Sequence, residues 1–311
     1  MEALAIPLLL VVGGLLVVQA AANVQLSGAV ASPFGASTLQ LAIAALVLAL
    51  IAALVGSLDA LGRLGHADPW TVVGGLGSAI YITAGVLLFP RLGAIVAAAL
   101  IIAGQMLASL LLDGFGWLGV ARTTPRPGAL LGVVAIVVGA WLIVRAQRQA
   151  TAIAGTARAR AGWIALALLA GAVLPVQGAV NARLDADLHA PIAVGAFSFL
   201  IATAAMAFTV AAIVSVGGAN RPSLAALPRV PWWGWLGGLV GATYVTSVFL
   251  LIPRLGAAPV VALTVGGQQI ASVLVDRLGL LRLPRRQVPR LRLVGVTVLL
   301  VGVLLVTAAR S

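Results

Sequence analysis

Pro90-Arg91-Leu92-Gly93-Ala94 recurs 163 residues later as Pro253-Arg254-Leu255-Gly256-Ala257. The same shift carries Trp70 onto Trp233, Gly74-Gly75-Leu76 onto Gly237-Gly238-Leu239, and Tyr81 onto Tyr244. It carries Gln105, Ser109 and Asp113 onto Gln268, Ser272 and Asp276, then Gly132 onto Gly295 and Gly139 onto Gly302. Upstream, a shift of 158 pairs Gly13 with Gly171, Gln19 with Gln177, Asn23 with Asn181, Leu26 with Leu184 and Pro33 with Pro191. Apolar matches are cheap in a chain this rich in Ala, Leu, Val and Gly. Matches at Gln, Asn, Asp, Trp, Tyr and Pro-Arg are not, so the chain is an internal duplication.

The medium of the duplicated unit follows from composition. Hydrophobic residues make up 62% of the chain and charged residues 8%, with a mean hydropathy of +1.17. A soluble domain is about one quarter charged. A helix needs about 20 apolar residues to cross a bilayer. Runs of that length fall at roughly 3–23, 35–58, 71–89, 92–112, 128–146, 162–182, 192–216, 233–252, 256–276 and 292–309. They do not alternate, which excludes a barrel. The expected fold is all-α and polytopic, with about ten transmembrane helices. The expected units are 1–147, a basic linker at 148–161, and 162–311. Five crossings is an odd number, so the second unit enters the bilayer inverted relative to the first. Gln19-Ala20-Ala21-Ala22 offers small residues after an apolar run, but Met1-Glu2 lacks the positive start of a signal peptide, so the stretch reads as a retained first helix.

The net charge is +12, and every basic residue is arginine. The arginines are spread over short loops, which excludes a nucleic-acid patch. Thirteen lie on the side of the 148–161 linker, among them Arg91, Arg145, Arg158, Arg229, Arg277 and Arg292. Six lie on the other: Arg63, Arg122, Arg126, Arg183, Arg254 and Arg310. The positive-inside rule then puts the 147–161 and 277–292 loops in the cytoplasm and both termini outside. Most of the bias comes from the second half.

Polar residues inside apolar spans face the bundle interior. Gln105, Ser109 and Asp113 follow i, i+4, i+8 and share one helix face, as do Gln268, Ser272 and Asp276. Gln19 with Asn23, and Gln177 with Asn181, share faces of the first and sixth helices. Gln105 falls about 12 Å deeper than Asp113. The candidate substrate-binding residues are therefore Gln19, Asn23, Tyr81, Gln105, Gln177, Asn181, Tyr244 and Gln268. Interhelical hydrogen bonding is a compatible role for the same amides. Asp113 and Asp276 are candidates for proton coupling. Their alternative is a helix-end carboxylate, in water or paired with a loop arginine such as Arg122 or Arg277. The Gly-Gly pairs read as starts of the third helices that permit close packing. Trp70, Trp232, Trp233 and Trp235 read as interfacial anchors, and His66 and His189 as solvated loop residues.

Cysteine is absent, which removes thiol chemistry and thiolate metal sites. No phosphate-binding loop, zinc-ligand pair or serine–histidine arrangement occurs, so neither a cofactor, a metal nor an enzymatic activity is expected.

Gln-x3-Asn in the first helix, Gly-Gly opening the third, Pro-Arg-Leu-Gly-Ala, and Gly-Gln-x3-Ser-x3-Asp together resemble the YdcZ-type inner-membrane exporters of the drug/metabolite transporter superfamily. That family is similar to a five-helix unit occurring singly, in gene pairs, or fused as here. The resemblance covers nearly the whole chain and implies a secondary transporter of the bacterial plasma membrane. Small multidrug exporters of that superfamily resemble proton antiporters with a glutamate in the first helix. Here that helix carries Gln19 and Asn23, and its acid is the terminal Glu2. The expected activity is export of small organic solutes by alternating access, with solute and lipid as partners and a functional monomer compatible with fusion of the halves. Alternatives for the same fold are a lipid-linked carrier flippase and a non-transporting scaffold.

Overall fold

The computed structural model describes residues 2–92, 94–124, 126–146, 157–218, 221–281 and 288–309. Ten α-helices occur among them: α1 (Glu2–Val30), α2 (Pro33–Leu54), α3 (Leu76–Leu92), α4 (Ala94–Phe115), α5 (Pro127–Ala146), α6 (Ala157–Leu188), α7 (Pro191–Ser215), α8 (Leu236–Leu255), α9 (Ala257–Leu278) and α10 (Arg290–Ala308). The described residues form no strands. Eight helices are long and apolar enough to cross a membrane; α3 and α5 contribute the shorter apolar stretches Leu76–Leu88 and Pro127–Ile143. The fold is all-α and polytopic. Residues 148–156 of the linker and 282–287 of the 277–292 loop lie outside the described residues, while 157–161 of the linker already belong to α6.

Local chemistry sets the breaks. Ser32 caps α2, its Oγ accepting from Gly35 N at 3.1 Å, and Pro33 takes the first helical position. Pro191 opens α7 in the same way, with Ala190 N donating to Asp185 Oδ1 at 3.1 Å. Gly256, at φ +82°, ends α8 and starts α9 in one residue, a conformation that glycine adopts freely.

Helix boundaries depart from the apolar runs in three places. α1 and α6 extend to 29 and 32 residues, because polar residues such as Gln25, Arg183 and Asp185 continue the helix past the apolar run. The segment after α2 folds as a 3-10 helix at Leu58–His66, so α3 begins only at Leu76. Gly74 and Gly75 therefore sit in the turn before α3 instead of inside it.

The heaviest packing joins helices from different halves: α5 with α10, α2 with α7, α4 with α6, and α1 with α9. Glycines set these approaches. A Cβ on Gly13 would strike the Thr264 carbonyl, and one on Gly171 the Ile101 carbonyl. A Cβ on Gly104 would strike the Leu168 carbonyl, and one on Gly267 the Leu10 carbonyl. These contacts map onto each other under the shifts of 158 and 163. The equivalent helices α5 and α10 meet antiparallel. Gly132 lies against Gly302 and Val306, while Gly139 lies against Gly295 and Leu299. Each half thus buries its faces against the other.

The chain turns gather at two ends. At end A, Arg63 bonds the Leu188 carbonyl and Arg183 pairs with Asp68 at 3.4 Å. At end B, Ser223 N donates to the Val30 carbonyl at 2.9 Å. His66 and His189 are exposed at end A. Trp70 at end A and Trp232 at end B are both exposed.

Candidate functional site

Two polar clusters lie between the halves. On α6, Gln177 Nε2 donates to Ser78 Oγ of α3 at 2.9 Å, and Asn181 Nδ2 donates to Ser198 Oγ of α7 at 3.0 Å. Both amides are buried. Gly74 and Gly77 make room for them: a Cβ on Gly74 would meet Asn181 Oδ1, and one on Gly77 would lie 2.6 Å from Gln177 Oε1. The second cluster is built from the equivalent positions. Gln19 Nε2 of α1 would lie 2.8 Å from a Cβ on Gly241 of α8, and Gln40 of α2 fills the space beside Gly237 and Gly238. The Gly-Gly pairs therefore do more than bring backbones together. They admit amide side chains from the facing helix.

Four buried polar atoms on the helices that build these clusters have no hydrogen-bond partner among the described residues: Asn23 Oδ1, Asn181 Oδ1, Gln40 Nε2 and Thr246 Oγ1. An unpaired buried group costs about 1–3 kcal/mol. Asn23 and Asn181 occupy equivalent positions and both leave a carbonyl oxygen unspent. Unsatisfied polar atoms in a native structure point to a ligand, water or strain.

Nearer the centre, Tyr244 of α8 is buried and lies beside Thr264 of α9, close enough to Tyr81 of α3 for electrostatic interaction. Gln105 of α4 is buried, and its equivalent Gln268 of α9 is partly buried. Neither side chain forms a hydrogen bond with another described residue. The described acids and arginines all lie toward the helix ends, so this middle layer is neutral.

The two aspartates are placed apart and held differently. Asp113, buried at end A, takes Ala257 N on Oδ1 at 2.7 Å and Ala258 N on Oδ2 at 2.8 Å, the first amides of α9. A carboxylate there suits the positive end of the helix dipole. Asp276, at end B, pairs with Arg292 of α10 at 2.6 Å, and Arg292 Nη2 also donates to Ser272 Oγ at 3.0 Å. The partner is thus Arg292 instead of Arg277. Arg122 turns to the Gly114 carbonyl at 3.2 Å. Arg292 itself is buried within α10, not loose in a loop, because its stem lies along the α9–α10 contact. A crevice of about 340 Å³ opens beside Asp113, lined by Thr123, Thr124, Arg126 and Pro259.

Ser78, Ser198 and Gln40 complete these clusters, and neither they nor Thr246 and Arg292 were singled out from sequence as site residues. One signal was available: the shift of 158 sets Gln40 on Ser198, polar in both halves. Thr246 and Thr83 offered a second at 163.

The family described as "Putative inner membrane exporter, YdcZ" matches residues 4–142 and again residues 162–305, so the chain belongs to that family twice over. A solved crystal structure is similar over 99% of this chain and 96% of its own, with a TM-score of 0.68 and 17% identity, a likeness of fold. No curated protein matches the chain.

Proposed function

We propose that this multi-pass exporter of the bacterial inner membrane moves small, neutral, hydrogen-bonding organic solutes by alternating access between two inverted units, 1–147 and 162–311. The carrying observation is the pair of equivalent, buried and unpartnered amide oxygens, Asn23 Oδ1 and Asn181 Oδ1. Such atoms are costly unless something supplies a donor. They lie on helices whose contacts repeat across the halves, which is the arrangement that lets one site be offered to either side in turn.

In this reading Gln105 and Gln268 contact solute at the centre, with Tyr81 and Tyr244 as flat faces. Gln19, Asn23, Gln177 and Asn181 line the route. The neutral middle layer favours solutes without net charge, because an ion there would lack a counter-charge in a low dielectric. The linker end faces the cytoplasm.

The test is a thermal-shift screen of metabolites and drugs on purified protein, followed by transport of the hit in proteoliposomes. Each lost hydrogen bond is worth about 0.5–1.5 kcal/mol. Gln105→Ala with Gln268→Ala should therefore slow transport about tenfold or more. Unchanged transport by that double variant would remove the two glutamines from the site.

A further inference from the structure

The two amide clusters are equivalent in backbone and unequal in side chains. A Cβ on Gly75 would strike the Ser198 carbonyl of α7, and one on Gly238 the Gln40 carbonyl of α2. The shifts of 158 and 163 map one contact onto the other, so α3 meets α7 as α8 meets α2. The side chains at that contact differ: Ser198 in one half, Gln40 in the other. A second exchange lies three residues further along α3 and α8, where Ser78 corresponds to Gly241.

These exchanges decide how the amides are spent. Toward end A, Gln177 Nε2 donates to Ser78 Oγ, Asn181 Nδ2 donates to Ser198 Oγ, and Asn181 fills the space beside Gly74. Toward end B neither hydroxyl exists. Gln19 Nε2 lies beside Gly241 and makes no hydrogen bond with another described residue. Gln40 fills the space beside Gly237, the equivalent of Gly74. Asn23 is the equivalent of Asn181, so the repeat directs Asn23 and Gln40 to the same glycine. Gln40 is 5% exposed. Its Nε2 and Asn23 Oδ1 are both buried without a partner among the described residues. One is a donor and the other an acceptor. The end-A cluster leaves the acceptor Asn181 Oδ1 unspent, but no donor, among the described residues. Asn23 stands seven residues before Val30, where α1 ends at end B, and Asn181 seven before Leu188, where α6 ends at end A. Each lies about 10 Å in from its end. Gln19 and Asn23 are partly buried there, whereas Gln177 and Asn181 are buried.

We propose that the end-B cluster recognises a neutral carboxamide group on the solute, with Gln40 as the specificity-determining residue, and that the end-A cluster is spent on joining α3, α6 and α7. The carboxamide oxygen accepts from Gln40 Nε2, and its N–H donates to Asn23 Oδ1. A carboxamide offers both on one rigid plane. A group with an acceptor alone leaves Asn23 unpaired, and one with a donor alone leaves Gln40 unpaired. Gln19, Asn23 and Gln40 carry no charge, so a carboxylate or an ammonium would be desolvated there without a counter-charge. The proposal deepens the exporter reading and rests on it for direction: end B is the cytoplasmic end in that reading, so the solute meets this cluster on entry.

The end-A half supplies the test substitutions. Gln40→Ser with Gly241→Ser writes its two hydroxyls into the end-B cluster and gives Asn23 and Gln19 the partners that Asn181 and Gln177 have. A Cβ on Gly241 would lie 2.8 Å from Gln19 Nε2, the free end of a flexible side chain, which can give way. Binding of benzamide to the purified protein is followed by ligand-observed NMR, with N,N-dimethylbenzamide, benzoate and benzyl alcohol alongside. Benzamide should bind about tenfold more tightly than each of the three, and the double variant should lose about tenfold in benzamide affinity, as expected for one or two hydrogen bonds. Gln40→Met, which keeps the length and removes the amide, serves if the double variant does not yield folded protein. Absence of benzamide binding, equal binding of N,N-dimethylbenzamide or benzyl alcohol, or undiminished binding by the variant overturns the carboxamide site. If a screened solute is still transported in proteoliposomes in that case, the exporter reading stands without it. If benzamide binding depends on Gln40 but no solute is transported, the recognition site stands and the exporter reading falls.

Discussion

At the scale of single residues, the glycines and the buried amides carry the sharpest consequences. A Cβ on Gly171 would fall on the Ile101 carbonyl, which is backbone and has no rotamer to change. Gly171→Ala should therefore cost about 1–3 kcal/mol, the usual range for overpacking. Gly162, on the same helix, has nothing within 4 Å of the point a Cβ would occupy, and Gly162→Ala should stay within about 0.5 kcal/mol. Melting temperatures of the two variants in detergent decide the point; equal values would mean that α4 and α6 do not approach as described. The amide clusters give a subtler case. Gln177 and Ser78 share a buried hydrogen bond at 2.9 Å. Interhelical bonds in membranes contribute about 0.6–2 kcal/mol. Gln177→Leu and Ser78→Ala should each destabilise by about that much, and the double variant by much less than their sum. Full additivity in the double-mutant cycle would show that the pair does not form.

At the scale of helices, equivalence itself becomes measurable. In α5, Gly132 faces Gly302, and in α10, Gly295 faces Gly139, with would-be Cβ contacts of 2.7 and 2.8 Å to the facing carbonyls. Gly132→Ala and Gly295→Ala should then lower stability by similar amounts, within about 0.5 kcal/mol of each other. A large inequality, read from unfolding midpoints, would break the antiparallel α5–α10 pairing. This pairing was legible beforehand only as matching glycines, since a repeat shows which residues are equivalent but not which helices touch. The apolar runs located the helices because hydrocarbon thickness imposes a length. They missed the true extents of α1 and α6, where polar residues continue the helix, and the 3-10 helix Leu58–His66, a polar segment between runs. The candidate site was legible where a polar residue recurs in both halves, as with Gln19 and Gln177. It was opaque at Arg292, because no pattern in a basic segment tells a buried arginine from a solvated one. Only the approach of Asp276 and Ser272 across α9 and α10 does so.

At the scale of the whole molecule, charge and topology combine into one statement about sidedness. Among the described residues, following the chain through its helices puts five arginines at end A with six acids: Glu2, Asp59, Asp68, Asp113, Asp185 and Asp187. End B receives nine described arginines and one acid, Asp276. The positive excess of the described residues therefore belongs to end B. Arginine count, not net charge, governs insertion, and here both agree. The exposed ion pairs at end A, such as Arg183 with Asp68, contribute little to stability. Their consequence is electrical, and by the positive-inside rule end A is expected to be carried across while end B stays in the cytoplasm. Gly65 at end A has open space for a side chain, and Leu224 at end B is 65% exposed. Gly65→Cys should react with a membrane-impermeant maleimide in intact cells, and Leu224→Cys only after the membrane is opened. The reverse labelling pattern would turn the molecule over. It would place the buried Asp113 and the two α9 amides it accepts from at the cytoplasmic face.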